Sequence, residues 1–219
     1  MKETADRFTE HLKVVLGEGL KSVVLYGSMA RGEHMKKHSD INILIIVKDV
    51  NLNTLSSISK IKNKPAYRNV APLVFTEEYL ENSADVFPIE FLDIKENHIV
   101  LYGSDCLKDL KIDLINLRHQ CEWELKSKLL QLEKFYIESK GNKKALKLFL
   151  VKKLPSFVVV FKNLLRLNGA GLNFDDNILN KLRLARQAGI DIDDLFGKFF
   201  SELKRVSDAV DKLPVKNNV

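Results

Sequence analysis

Cysteine, proline, glycine and long apolar runs are all scarce in this chain, and each shortage removes a class of protein. Two cysteines in 219 residues, Cys106 and Cys121, are too few for a disulfide framework. They have no paired spacing either, so they read as free thiols without a function of their own. Five prolines and ten glycines exclude collagenous and low-complexity chains. The longest unbroken apolar runs, residues 43–47 and 157–161, fall far short of the roughly 18–20 residues of a membrane helix. The N-terminal MKETADRFTEHLKVVL mixes acids and bases with no apolar stretch leading to small residues. Neither a secretory nor a mitochondrial address is expected, and a cytoplasmic location is.

What the chain does have is an ordinary globular balance, 45% apolar and 29% charged, with a formal net charge of +6. That charge is unevenly placed. Before Cys106 there are 13 Lys and Arg against 15 Asp and Glu, and from Cys106 onward 22 against 14. The asymmetry predicts two domains, residues 1–105 and 106–219, with different partners. The basic half suits an anionic partner or is a lysine-coated solvated face; Lys outnumbers Arg there 17 to 5, and Arg is what bidentate phosphate recognition favours.

Patterning supports the same division. Phe8, Leu12, Val15 and Leu16 stand at helical spacing ahead of Gly17 and Gly19. Residues 22–26 and 41–47 read as strands, 29–37 as a short helix, and 52–62 as a helix capped by Asn51 or Asn53. Residues 67–75, 86–94 and 97–102 read as further strands, with Pro72 and Pro88 pushing theirs toward edges or strand starts. After Cys106 the apolar spacing is helical throughout. Helices are predicted over 114–136, over 145–167 with a kink or restart at Pro155, from Asp175-Asp176 to about 188, and from Asp191 or Asp193 to about 213. Trp123 and the bundle phenylalanines sit at core spacing, and residues 215–219 read as a frayed tail. The fold class is therefore α+β: a mixed sheet with flanking helices, then an all-α bundle of four or five helices.

The residues able to carry chemistry lie in one window, Gly27-Ser28-Met29-Ala30-Arg31-Gly32 followed by Ser39-Asp40-Ile41-Asn42. A strand that ends in Gly-Ser and turns at once presents a close-approaching backbone, a hydroxyl and free amides to one spot, which suits a phosphate. A second strand opening Ser-Asp-x-Asn puts positions 40 and 42 on one face. Two oxygen-bearing groups beside a phosphate cradle are what a Mg²⁺-nucleotide site uses.

This window resembles the nucleotidyltransferase superfamily that includes DNA polymerase beta, kanamycin nucleotidyltransferase and the minimal nucleotidyltransferases. The family pattern, Gly-Ser-x-Ala-Arg-Gly then Ser-Asp-x-Asp and an apolar strand, is matched at Gly27, Ser28, Ala30, Arg31, Gly32, Ser39 and Asp40. The resemblance implies transfer of a nucleoside monophosphate from a nucleoside triphosphate to a hydroxyl, dependent on Mg²⁺ or Mn²⁺. The acceptor would be a small molecule, an RNA end or a protein. By the same resemblance Gly27, Ser28, Arg31 and Ser39 hold the nucleotide, Asp40 and Asn42 the metal, and Glu90 completes the catalytic set.

Two departures from the family pattern open a second reading. Asn42 stands where the family has its second carboxylate, and keeps a carbonyl ligand without the charge. Ala71 and Pro72 occupy the strand that commonly carries a third carboxylate, leaving Glu90 and Asp93 as the remaining acids on a plausible strand, where they could equally cap the element or pair with Arg31 or Lys95. The alternative is a degenerate member that binds nucleotide, RNA or a protein without turnover. Arg31 has two roles open to it, touching phosphate or bracing Asp40 or Glu90. His34 and His38 read as solvated spacer residues. A third reading makes the basic bundle an RNA- or protein-binding module, but no basic motif interleaved with aromatics supports it. The Arg-x4–6-His ribonuclease motif of some bundle partners is missing, because Arg118 and His119 are adjacent.

Overall fold

The computed structural model describes residues 2–32, 40–167, 180 and 191–213. The chain divides into two compact units, Met1–Ile112 and Asp113–Val219. The division falls seven residues after the predicted 105/106 boundary, because Leu107 and Leu110 are buried in the first unit's core.

The first unit is built on a four-stranded mixed sheet. The strands are β1 (Leu20–Tyr26), β2 (Ile41–Val47), β3 (Val70–Phe75) and β4 (His98–Gly103), in the order β3-β2-β1-β4. β1 runs antiparallel to β2 and β4, and β2 runs parallel to β3. The apolar runs that made β1 and β2 legible are those of central strands buried on both faces. Pro72, which has no N–H for a ladder, sits on the edge strand β3.

One face of the sheet is covered by α1 (Lys2–Leu16) and α2 (Leu52–Lys62), with Phe8, Leu12, Ile43, Ile45 and Ile58 buried together. The Asn51 side chain caps α2 by accepting from the Thr54 N–H at 3.0 Å. The other face buries Val24, Leu44, Ile46, Leu80, Phe91 and Ile94 under α3 (Glu77–Asn82) and α4 (Pro88–Glu96).

α4 corrects a prediction, since residues 86–94 were expected to form a strand. The valine, phenylalanines and isoleucines of residues 86–94 are strand-rich types. Burial at Pro88, Phe91 and Ile94 nevertheless follows a three-residue helical spacing, with Ile89 buried besides, and Pro88 sits at the first helical position, where its missing N–H costs nothing. Phe91 packs edge-on against Phe75 and Phe87, anchoring that face to β3. The expected strand from residue 67 also starts later: Tyr67 closes a 3₁₀ turn, Pro65–Tyr67.

The turn after β4 ties the unit together. Gly103 has φ +78°, and the buried Ser22 hydroxyl lies 2.7 Å from the Ser104 carbonyl and 3.1 Å from that of Tyr102. The His98 ring bridges the Lys95 carbonyl at 2.9 Å and the Asp105 carboxylate at 3.2 Å. Partial burial pushes the Asp105 carboxyl up, but the Leu107 amide, the His98 ring and the Lys108 amide outweigh this and hold it below its ordinary value. A carboxyl with a depressed folded pKa contributes stability that is present above its unfolded value and lost as pH falls through the folded one. Acid melts of the full chain are therefore expected to lose an increment of stability below about pH 3.8 that the Asp105→Asn variant lacks. Parallel pH profiles for the two proteins would refute this.

In the second unit three long helices are described: α5 (Leu114–Glu138), α6 (Lys143–Arg166) and α7 (Ile192–Asp211). Each packs on the other two. Asp113, Asn142 and Asp191 cap them, accepting N–H bonds from Ile115, Ala145 and Asp193. α6 runs through Pro155 as one helix, so of the expected kink or restart the restart does not occur. Trp123 is 66% exposed, on a stripe with Leu130 and Ile137, so its predicted place in the bundle core is also corrected. The helix expected from Asp175-Asp176 and the tail 215–219 lie outside the described residues. Among the described residues no helix is long and apolar enough to cross a membrane.

Candidate functional site

β1 delivers the chain to Gly27, where φ turns to +79° and a single 3₁₀ turn, Gly27–Met29, begins. Only glycine adopts that φ without strain, which explains its place at the turn. The Arg31 N–H donates to the Gly27 carbonyl at 3.1 Å and the Gly32 N–H to the Met29 carbonyl at 3.2 Å. The first N–H groups of such a turn have no partner inside it. A helix over 29–37 was expected; the described part, residues 29–32, is this tight turn instead. Residues 33–39, including Ser39, His34 and His38, lie outside the described residues.

β2 returns antiparallel, placing Asn42 opposite Tyr26. Asp40 is exposed just ahead of the strand. Asn42 lies on the face of Leu44 and Ile46, the side roofed by α3 and α4. Its amide reaches back to the turn: a Cβ built on Gly27 would lie 2.7 Å from Asn42 Nδ2. On the other side, the parallel register of β2 and β3 sets Ala71 beside Asn42. Tyr26 and His98 are paired across β1 and β4, so Ala71, Asn42, Tyr26 and His98 follow one another across the sheet. Burial pushes the Tyr26 phenol above its ordinary value, which keeps it a neutral hydrogen-bonding group.

Among the sequence-predicted residues, Gly27, Ser28, Asp40 and Asn42 are brought to the facing ends of β1 and β2. Glu90 is on the exposed first turn of a helix, not on a strand. Arg31 Nη1 lies 3.4 Å from Asp93 Oδ2 on α4, so Asp93 is its carboxylate partner there. The sequence left Glu90 and Asp93 free to cap their element or to pair with Arg31 or Lys95, and the packing of α4 brings Asp93 to Arg31. The signal that was present was the i, i+3 spacing of Glu90 and Asp93, which places them along one side of a helix.

A family model described as a nucleotidyltransferase domain matches residues 4–147. The chain belongs to this nucleotidyltransferase domain family. The match spans the first unit, α5 and the start of α6, well over half of the chain. A solved spectinomycin adenyltransferase from Enterococcus faecialis, with ATP and spectinomycin, is similar at 14% identity and a TM-score of 0.48. The alignment covers 93% of this chain and 99% of that one. The comparison with curated proteins gave no match.

Nucleotidyltransferase domains imply a divalent ion, and the donor set here can be tested against one. A cation bridging a triphosphate takes paired carboxylates. Among the described residues the strand ends supply one carboxylate, Asp40, one amide, Asn42, and a methyl group at Ala71 on the neighbouring strand. Among the described residues no group of three or more His, Cys, Asp or Glu side chains gathers in a metal-binding arrangement. The described residues do not fit a two-ion site. Neither cysteine adds a nucleophile: burial pushes Cys106 up to about 11 and Cys121 up to about 12.

Proposed function

We propose that this nucleotidyltransferase-domain chain binds a nucleoside triphosphate at the Gly27–Met29 turn and the start of β2, and transfers nucleotidyl groups poorly or not at all. The observation that carries the reading is the register of β2 and β3, which sets Ala71 against Asn42, so that among the described residues Asp40 is the acid at the start of β2. Gly27 and Ser28 would hold phosphates through backbone amides and the Ser28 hydroxyl, with Ser39 nearby in sequence. Arg31 would be held by Asp93 and lend its charge to the turn. Glu90, on the exposed turn of α4, is the acid available for a catalytic role if transfer occurs.

Full nucleotidyltransferase activity, dependent on Mg²⁺ and directed at a hydroxyl acceptor, is the second reading, favoured by family membership. One experiment separates the two. The full chain is incubated with each labelled nucleoside triphosphate and Mg²⁺ or Mn²⁺, with RNA, aminoglycoside-like small molecules or the protein itself as acceptor. The expected result is a rise in melting temperature with ATP, equivalent to about 2.7 kcal/mol at a hundred times Kd, without pyrophosphate release. Sustained pyrophosphate release with label on an acceptor would establish the enzyme instead. The basic second unit, as a surface for an anionic partner, belongs to that second reading.

A further inference from the structure

We propose that the site takes the triphosphate without a divalent ion, with Asn42 Nδ2 as a direct hydrogen-bond donor to phosphate; this rests on the nucleotide-binding reading. A carboxylate at position 42 would offer only acceptors and would need a cation between itself and a phosphate oxygen. An amide nitrogen offers two N–H groups that an anionic oxygen accepts directly. The exchange of Asp for Asn therefore reverses the kind of ligand atom this position recognises.

The geometry points the same way. Asn42 Nδ2 occupies the space that a Cβ on residue 27 would need, 2.7 Å from that position, so glycine leaves room for the amide against the turn. Among the described residues Asn42 is engaged in no side-chain hydrogen bond or ion pair, leaving its N–H groups for a ligand. Ala71, its neighbour on β3, adds no acceptor that would compete with phosphate or recruit a cation. Asp40 is the opposing group. It stands two residues before Asn42, exposed, and its negative charge repels a metal-free triphosphate.

That opposition gives a test whose sign differs between the two cases. Titration calorimetry of the full chain with ATP is run in excess EDTA and in excess Mg²⁺. The wild-type Kd is expected to agree within about twofold, and Asp40→Asn is expected to tighten ATP binding in EDTA by removing repulsion. Asn42→Asp should weaken binding in EDTA by about tenfold or more, the loss of a charge-assisted hydrogen bond, and recover with Mg²⁺. Wild-type binding only in Mg²⁺, or lost binding in Asp40→Asn with its circular dichroism intact, overturns the proposal and leaves nucleotide binding standing. No ATP binding in either buffer overturns the binding reading and the proposal together. Should Asn42→Asp fail to fold, the wild-type titrations and Asp40→Asn decide alone.

Discussion

Replacing Gly103 by alanine is expected to destabilise the first unit by about 3–5 kcal/mol, among the largest effects of any single substitution in the chain. Two causes act at once. The backbone at Gly103 has φ +78°, a conformation that costs an L-residue roughly 1–2 kcal/mol. The added Cβ would lie 1.9 Å from the Lys21 carbonyl oxygen and 2.9 Å from its carbon. Both are main-chain atoms of β1, a central strand, so no side-chain rotation relieves the overlap. Strands β1 and β4 would have to separate there, breaking the Ser22 hydroxyl bonds to the turn. A thermal melt of the full chain followed by circular dichroism should show the first transition lowered by on the order of 10 °C or more. A melt within about 2 °C of wild type would show that the turn accommodates a side chain and that this account of Gly103 is wrong.

Gly27→Ala is expected to behave differently, losing ligand binding with most of the fold retained. Its φ of +79° carries a similar local cost, but the atom in the way is Asn42 Nδ2, the end of a flexible side chain. The amide rotates aside and the sheet stays paired. What is lost is the placement of Asn42 against the turn and the close backbone approach to a phosphate. The ATP Kd should rise by about tenfold or more, the value of one hydrogen bond to a charged group, while far-UV circular dichroism stays near wild type. Unchanged ATP binding by a folded Gly27→Ala protein would place the nucleotide elsewhere. Ser28→Ala, which leaves the backbone free, should produce a smaller loss and serves as the comparison.

The contrast between the two glycines shows what kind of information lies where. Gly27 stands in a run of motif residues, and its place at the turn could be read from neighbours within a few positions. Gly103 could be recognised as a turn, but not as a close contact, because its obstacle is the carbonyl of a residue 82 positions earlier. The helix α4 shows the same limit. Its residue types favour a strand, and packing against β3 and the sheet face decided for a helix with Pro88 at its start. Trp123 has the spacing of a core residue and is exposed, since spacing gives the face of a helix and not which face its neighbours cover.

For this protein the sequence by itself determined the elements whose signal is local. These are the two apolar strands around Gly-Ser, the asparagine cap of α2, the helical texture after Cys106, the family motif, and the missing charge at Asn42. Only the tertiary structure decided that Ala71 lies beside Asn42, that Asp93 is the partner of Arg31, and that Glu90 sits on an exposed helical turn. The reason is physical. Periodicity and caps act over one or two turns of chain, whereas strand register and helix packing are set by burying apolar faces across tens of residues. Whether the carboxylates of such a site meet is a question of register.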